Sequence, residues 1–88
     1  MEIADWRARI DALDRQLVEM LNQRCECALA IGAEKRTRGL AIAEPSREAA
    51  VMANIAAANH ARGGPLSDEA LQRLFTAIVA EMRGVQRS

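Results

Sequence analysis

The chain has 88 residues, half of them hydrophobic but only 2% aromatic, and twelve basic side chains cancel twelve acidic ones. That length allows one domain with a small core, and an alanine-rich, aromatic-poor composition suits closely packed helices better than sheets, so the expected fold class is all-α, one domain over residues 1–88. Zero net charge offers no field to nucleic acid or anionic lipid, no stretch reaches the ~18–20 apolar residues of a bilayer span, and the N-terminus lacks the basic start and apolar run of a signal peptide. The chain is expected in the cytoplasm, with neither nucleic acid nor membrane as a partner.

From Ile3 the apolar side chains follow a heptad: Ile3, Ile10, Leu17 and Ile31 form one column, and Trp6, Leu13, Met20 and Cys27 the other. No proline interrupts this stretch and Gly32 is its one glycine, so a single helix is predicted to run to Arg38, with Gly39 as its stop. At ~1.5 Å per residue that helix exceeds about 50 Å, longer than a compact monomer of this size is wide, and a second chain is expected alongside it. Cys25 and Cys27 project about 200° apart on a helix, so they cannot share a metal or a disulfide with each other and read as small buried thiols.

A short connection follows, and "EPSRE" then reads as a helix start with Pro45 at the first helical position. This second helix is predicted to reach Arg62, where "RGGP" breaks the chain. Ser67 is a predicted N-cap, with Asp68 and Glu69 in the first turn behind it. The third helix should carry Leu71, Leu74, Phe75, Ile78, Val79, Met82 and Val85 on one broad face.

Several polar residues interrupt these apolar stripes. Arg24 falls in the first heptad column, where a polar residue ordinarily sets register or lays its stem along the seam. Lys35 lies three turns further on the same face, roughly 16 Å along the axis, so the two cations can converge on one small anion. Gln86 shares the apolar face of the third helix; it either frays with the chain end or, if buried, needs a hydrogen-bond partner. Glu44 and Glu48 complement the dipole of the second helix, but Arg47 opposes it unless something negative lies near. Arg7 sits ~42 Å before Lys35 along the helix, so the two can share a small ligand only if it binds between chains, as antiparallel pairing of two long helices would allow. His60 has no partner at metal spacing and is assigned no role, and no nucleophilic triad, metal set or cofactor motif is apparent.

In this order the segments resemble the all-helical chorismate mutases, over nearly the whole chain. "RARIDALDRQLVEMLNQR" is similar to the family's long first helix, with Arg7 and Arg24 on its two arginines; "ALAIGAEKR" is similar to the segment ending in a lysine, here Lys35. "EPSRE" resembles the family's Asp-Pro-x-Arg-Glu, matched by Glu44, Arg47 and Glu48, and "LFTAIVAEMRGVQ" resembles the last helix, closed by Gln86. Two positions depart from the pattern: Glu44 stands where aspartate is commoner, and Met82 where some members carry a hydroxyl that helps bind a carboxylate.

The resemblance implies an intertwined homodimer of three-helix chains that converts chorismate, a small dianion, to prephenate without a cofactor. It implies that Arg7 from the partner chain and Arg24 grip carboxylates, and that Lys35 and Gln86 donate to the ether oxygen. Glu48 and the backbone or side chain around Glu44 would hold the ring hydroxyl, Arg47 would support the carboxylate end or order its neighbours, and Met82 would line the pocket; a further enzyme of the shikimate pathway is a possible partner. An isochorismate-pyruvate lyase of the same fold and a non-catalytic dimerisation or regulatory module are the competing readings. The match at Glu48 favours the mutase over the lyase, and the combination of Arg7, Arg24, Lys35 and Gln86 exceeds what a dimerisation module requires.

Overall fold

The computed structural model describes residues 1–87, which form three helices: α1 (Ile3–Arg38), α2 (Pro45–Arg62) and α3 (Asp68–Gln86). The expected all-α class and all three predicted helices are therefore present. Local chemistry sets the ends. Glu2 N–H donates to Asp5 Oδ2 at 2.8 Å where α1 begins. Gly39 closes α1 in the left-handed region, at φ 66°, which costs an L side chain but not glycine. Pro45 occupies the first turn of α2, where its missing N–H is no loss. Ser67 Oγ accepts from Ala70 N at 3.1 Å and caps α3.

Helix α3 packs against both α1 and α2, while α1 and α2 do not pack on each other. The small core therefore lies along α3: the buried apolar side chains among the described residues are Ala28 on α1, Val51 on α2, and Val79 and Met82 on α3. Gly32 allows the closest approach, since a Cβ there would stand 2.7 Å from Gln86 O and 2.8 Å from Gln86 Cα. The end of α3 thus rests directly on the backbone of α1.

The N-terminal two thirds of α1 extend beyond this core. Trp6, Ile10, Leu13, Leu17 and Met20 are each at least half exposed, although the heptad places them in a seam. The chain is correspondingly long, 54 × 24 × 17 Å, with a radius of gyration of 15.9 Å where a compact chain of this size would have about 12 Å. Cys27, expected to be buried, is exposed, and Cys25 is half-buried. Cys27 belongs to the same seam, at a point where α1 borders an open cleft. Leu74 is likewise exposed, at the edge of the broad α3 face.

Candidate active site

The C-terminal half of α1, the 39–44 connection, the start of α2 and the end of α3 enclose a cleft of about 350 Å³. Of the residues singled out from sequence, Arg24, Lys35, Glu44, Arg47, Glu48, Met82 and Gln86 all line it. Arg7 does not; it lies on the exposed first turns of α1, separated from Lys35 by the helix length that the residue count requires.

Lys35 is the organising side chain. It is only 6% exposed, and an ammonium removed from water needs an acceptor for each of its three protons. It has them: Nζ donates to Ile42 O at 2.8 Å and to Gln86 Oε1 at 3.1 Å, and lies 2.7 Å from Glu44 Oε1. One lysine therefore ties α1, the 39–44 connection and the end of α3 together. The hydrogen bond from Lys35, followed by its charge, holds the Glu44 carboxyl below its ordinary range, with a smaller pull from Arg47 and a partial opposing effect of desolvation.

Gln86 is half-buried and held in place rather than frayed. Besides the bond from Lys35 to its side chain, Arg36 Nη1 donates to its backbone carbonyl at 2.8 Å. Because its side-chain oxygen accepts from Lys35, the end of the amide left for another molecule is the donor Nε2. Lysine and glutamine together form a donor pair at one end of the cleft.

The opposite wall joins α2 to α3 through Arg83, whose Nε lies 3.0 Å from Glu48 Oε1. Arg24 and Arg47 enter no ion pair among the described residues and are the cations left for an incoming anion. Ala28, Ile31, Val51, Val79 and Met82 supply apolar surface between these charges. The arrangement can hold a small, compact, doubly negative molecule against an apolar wall, with N–H donors at one end.

Three participants escaped the sequence reading. Arg83 and Arg36 were signalled only as basic residues near helix ends, a placement that dipole complementarity already explains. Ile42 contributes through its carbonyl, which side-chain identity does not encode. His60, assigned no role, lies 2.7 Å from Asp68 Oδ2, and Asn59 Nδ2 donates to Asp68 Oδ1 at 2.9 Å. These contacts clamp the α2–α3 corner outside the cleft, and the bonds from Asn59 and then His60 lower the Asp68 carboxyl below its ordinary range.

Residues 6–87 match the family model for chorismate mutase type II. Among curated relatives, a protein named bifunctional chorismate mutase/prephenate dehydratase from Neisseria gonorrhoeae is 40% identical over 81 residues, covering 92% of this chain and 21% of the relative. Proteins of the same name from Pseudomonas aeruginosa and Aquifex aeolicus are 34% and 29% identical, each over 87 residues, covering 92% and 98% of this chain and 23% and 24% of the relatives. The chain thus spans less than a quarter of the length of these relatives. With nearly every residue covered by the family match and the family's segments gathered around one cleft, the chain belongs to the chorismate mutase type II family.

Proposed function

We propose that this chain is a single chorismate mutase domain over residues 1–88 that catalyses the Claisen rearrangement of chorismate to prephenate, working as a homodimer with two shared sites. The observation that carries the reading is the Lys35–Gln86 donor pair facing a cleft whose two unpaired cations are Arg24 and Arg47. Family membership supplies the substrate. The reaction is unimolecular and pericyclic, so it calls for neither a nucleophile nor an obligatory acid or base. Catalysis comes from holding the compact conformer and from stabilising charge as the ether C–O bond breaks.

In this mechanism Arg24 and the partner's Arg7 grip the two carboxylates, and guanidinium suits them because its planar fork donates in pairs. Arg47 strengthens the positive field at that end. Lys35 Nζ and Gln86 Nε2 donate to the ether oxygen as it becomes more negative. Glu48 accepts from the ring hydroxyl, and Met82 contributes an apolar wall in place of a hydroxyl donor. Lys35 already has an acceptor for each proton, so substrate oxygen must replace one of them. Glu44 is the one able to leave, because it is half exposed and sits at the end of the 39–44 connection. That connection then closes again over the ligand, with the Glu44 region near the ring hydroxyl.

The exposed heptad seam of α1 supports the homodimer, since a second copy laid antiparallel would cover it and bring its Arg7 towards Arg24 and Lys35. Product identification by NMR after incubation with chorismate tests the activity. Prephenate is expected from the wild type and little from Arg24→Ala. Unchanged chorismate, followed by salicylate and pyruvate from isochorismate, would replace the mutase reading with the lyase.

A further inference from the structure

Arg83 lies outside the residues to which the mechanism above gives a role, yet it stands in the cleft wall against one that it uses. Its Nε and Glu48 Oε1 are 3.0 Å apart and both shut off from solvent. The contact is too bent for a hydrogen bond, and neither atom finds such a partner elsewhere among the described residues. Opposite charge is therefore what joins them, across the gap between α2 and α3.

The charges around the cleft show what this contact does. Four cations line it (Arg24, Lys35, Arg47 and Arg83) against two anions, Glu44 and Glu48. Lys35 pairs with Glu44 and Arg83 with Glu48. Four minus two leaves an excess of two positive charges on this chain's side of the cleft, to which the partner's Arg7 would add a third in the proposed dimer. Without Arg83 the excess falls to one, and it falls where a carboxylate oxygen with no access to water loses its counter-charge. The Glu48 side chain as a whole keeps 29% exposure, so a bare carboxylate there would repel each carboxylate of the ligand through partial solvent screening.

We propose that Arg83 is a positioning residue for the reaction: it holds Glu48 at the cleft wall by opposite charge and neutralises it, so that this carboxylate can accept the ring hydroxyl of a dianionic substrate without repelling it. The inference rests on the chorismate reading given above. Arg83 acts through Glu48, and its effect is on the entry and seating of the anion more than on the bond-breaking step.

The test is steady-state kinetics on chorismate for the wild type, Arg83→Gln, Arg83→Lys, Glu48→Gln and the double variant Glu48→Gln/Arg83→Gln, with helicity and melting temperature recorded for each. Arg83→Gln is expected to raise KM roughly 10- to 100-fold, with a smaller change in kcat. Arg83→Lys, which restores the charge, should stay within a few-fold of the wild-type KM. Arg83→Gln should raise KM less in the Glu48→Gln background than in the wild type, because the anion it would leave unpaired is already gone; a purely structural role of Arg83 would make the two effects equal. A wild-type KM in Arg83→Gln, or an equal effect of Arg83→Gln in the wild-type and Glu48→Gln backgrounds, overturns the proposal. Should Arg83→Gln fail to fold, an Arg83→Lys protein that folds but has a KM raised 10-fold or more overturns it equally. If the wild type leaves chorismate unchanged, the underlying reading falls and takes this proposal with it, an outcome distinct from an active enzyme indifferent to Arg83.

Discussion

At the scale of single residues, the Gln86 amide is useful because its orientation is fixed. Lys35 takes the oxygen end, so in the proposed mechanism the donor end would be presented without a reorganisation cost when charge develops. Gln86→Ala should lower kcat by the equivalent of about 2–4 kcal/mol, the range for loss of one preorganised oxyanion donor; an unchanged kcat would remove this side chain from the mechanism. Gln86→Glu should be active only at low pH and lose activity as the introduced carboxyl ionises, because only its protonated form donates. The wild type should show no such loss from this position.

Glu44 has a pH dependence of its own. Its folded-state pKa is depressed, so the stabilisation of the 39–44 connection by Lys35 is fully present above the ordinary value of 4.5 and is lost as pH falls through the lowered value. Carboxyl NMR titration should place Glu44 below that ordinary value, and amide exchange over residues 39–44 should quicken only under more acidic conditions. A midpoint at or above the ordinary value would contradict the Lys35–Glu44 contact.

At the scale of elements, the site depends on how closely α1 and α3 approach. Gly32→Ala would drive a methyl group into the Gln86 backbone, where the nearest atoms stand at 2.7 and 2.8 Å. Backbone cannot swing aside as a side chain can, so the helices must separate, at a cost of about 1–3 kcal/mol for overpacking. Because Gln86 moves with them, kcat should fall as well, which thermal denaturation and kinetics read separately. Ser67→Ala serves as the contrast: losing the cap of α3 should cost roughly 1 kcal/mol of stability with KM and kcat unchanged, since Ser67 does not line the cleft.

For the whole molecule, the decisive feature is that one chain has little core of its own. No described side chain is fully buried, and the apolar seam of α1 faces outward. In an antiparallel dimer with shared sites, Arg7→Ala and Arg24→Ala chains would each be inactive alone. Mixing them by unfolding and refolding together should restore about a quarter of wild-type activity, because half of the dimers are mixed and one of the two sites in each is intact. No recovery from a mixture that does form mixed dimers would show that Arg7 and Arg24 do not serve one site across the interface. Leu13→Glu, in the exposed seam, should dissociate the proposed dimer in sedimentation and abolish activity together.

The sequence by itself determined the helices and their ends. The heptad, Gly39, Pro45 and Ser67 act through backbone geometry and hydrogen bonds within a few residues, and all of that is readable from local spacing. It also marked most of the cleft, because charged or amide groups at Arg24, Lys35 and Gln86 are conspicuous where apolar residues belong. Only the tertiary structure decided who partners whom. Lys35 meets Gln86 across 51 residues, Arg36 holds the carbonyl of that same Gln86, and Arg83 meets Glu48. Spacing along one helix says which side chains share a face, but not how that face crosses another helix. Burial of Cys27 was misjudged for a related reason. The heptad shows that its face is apolar, whereas burial depends on what lies opposite, and there Cys27 borders the open cleft.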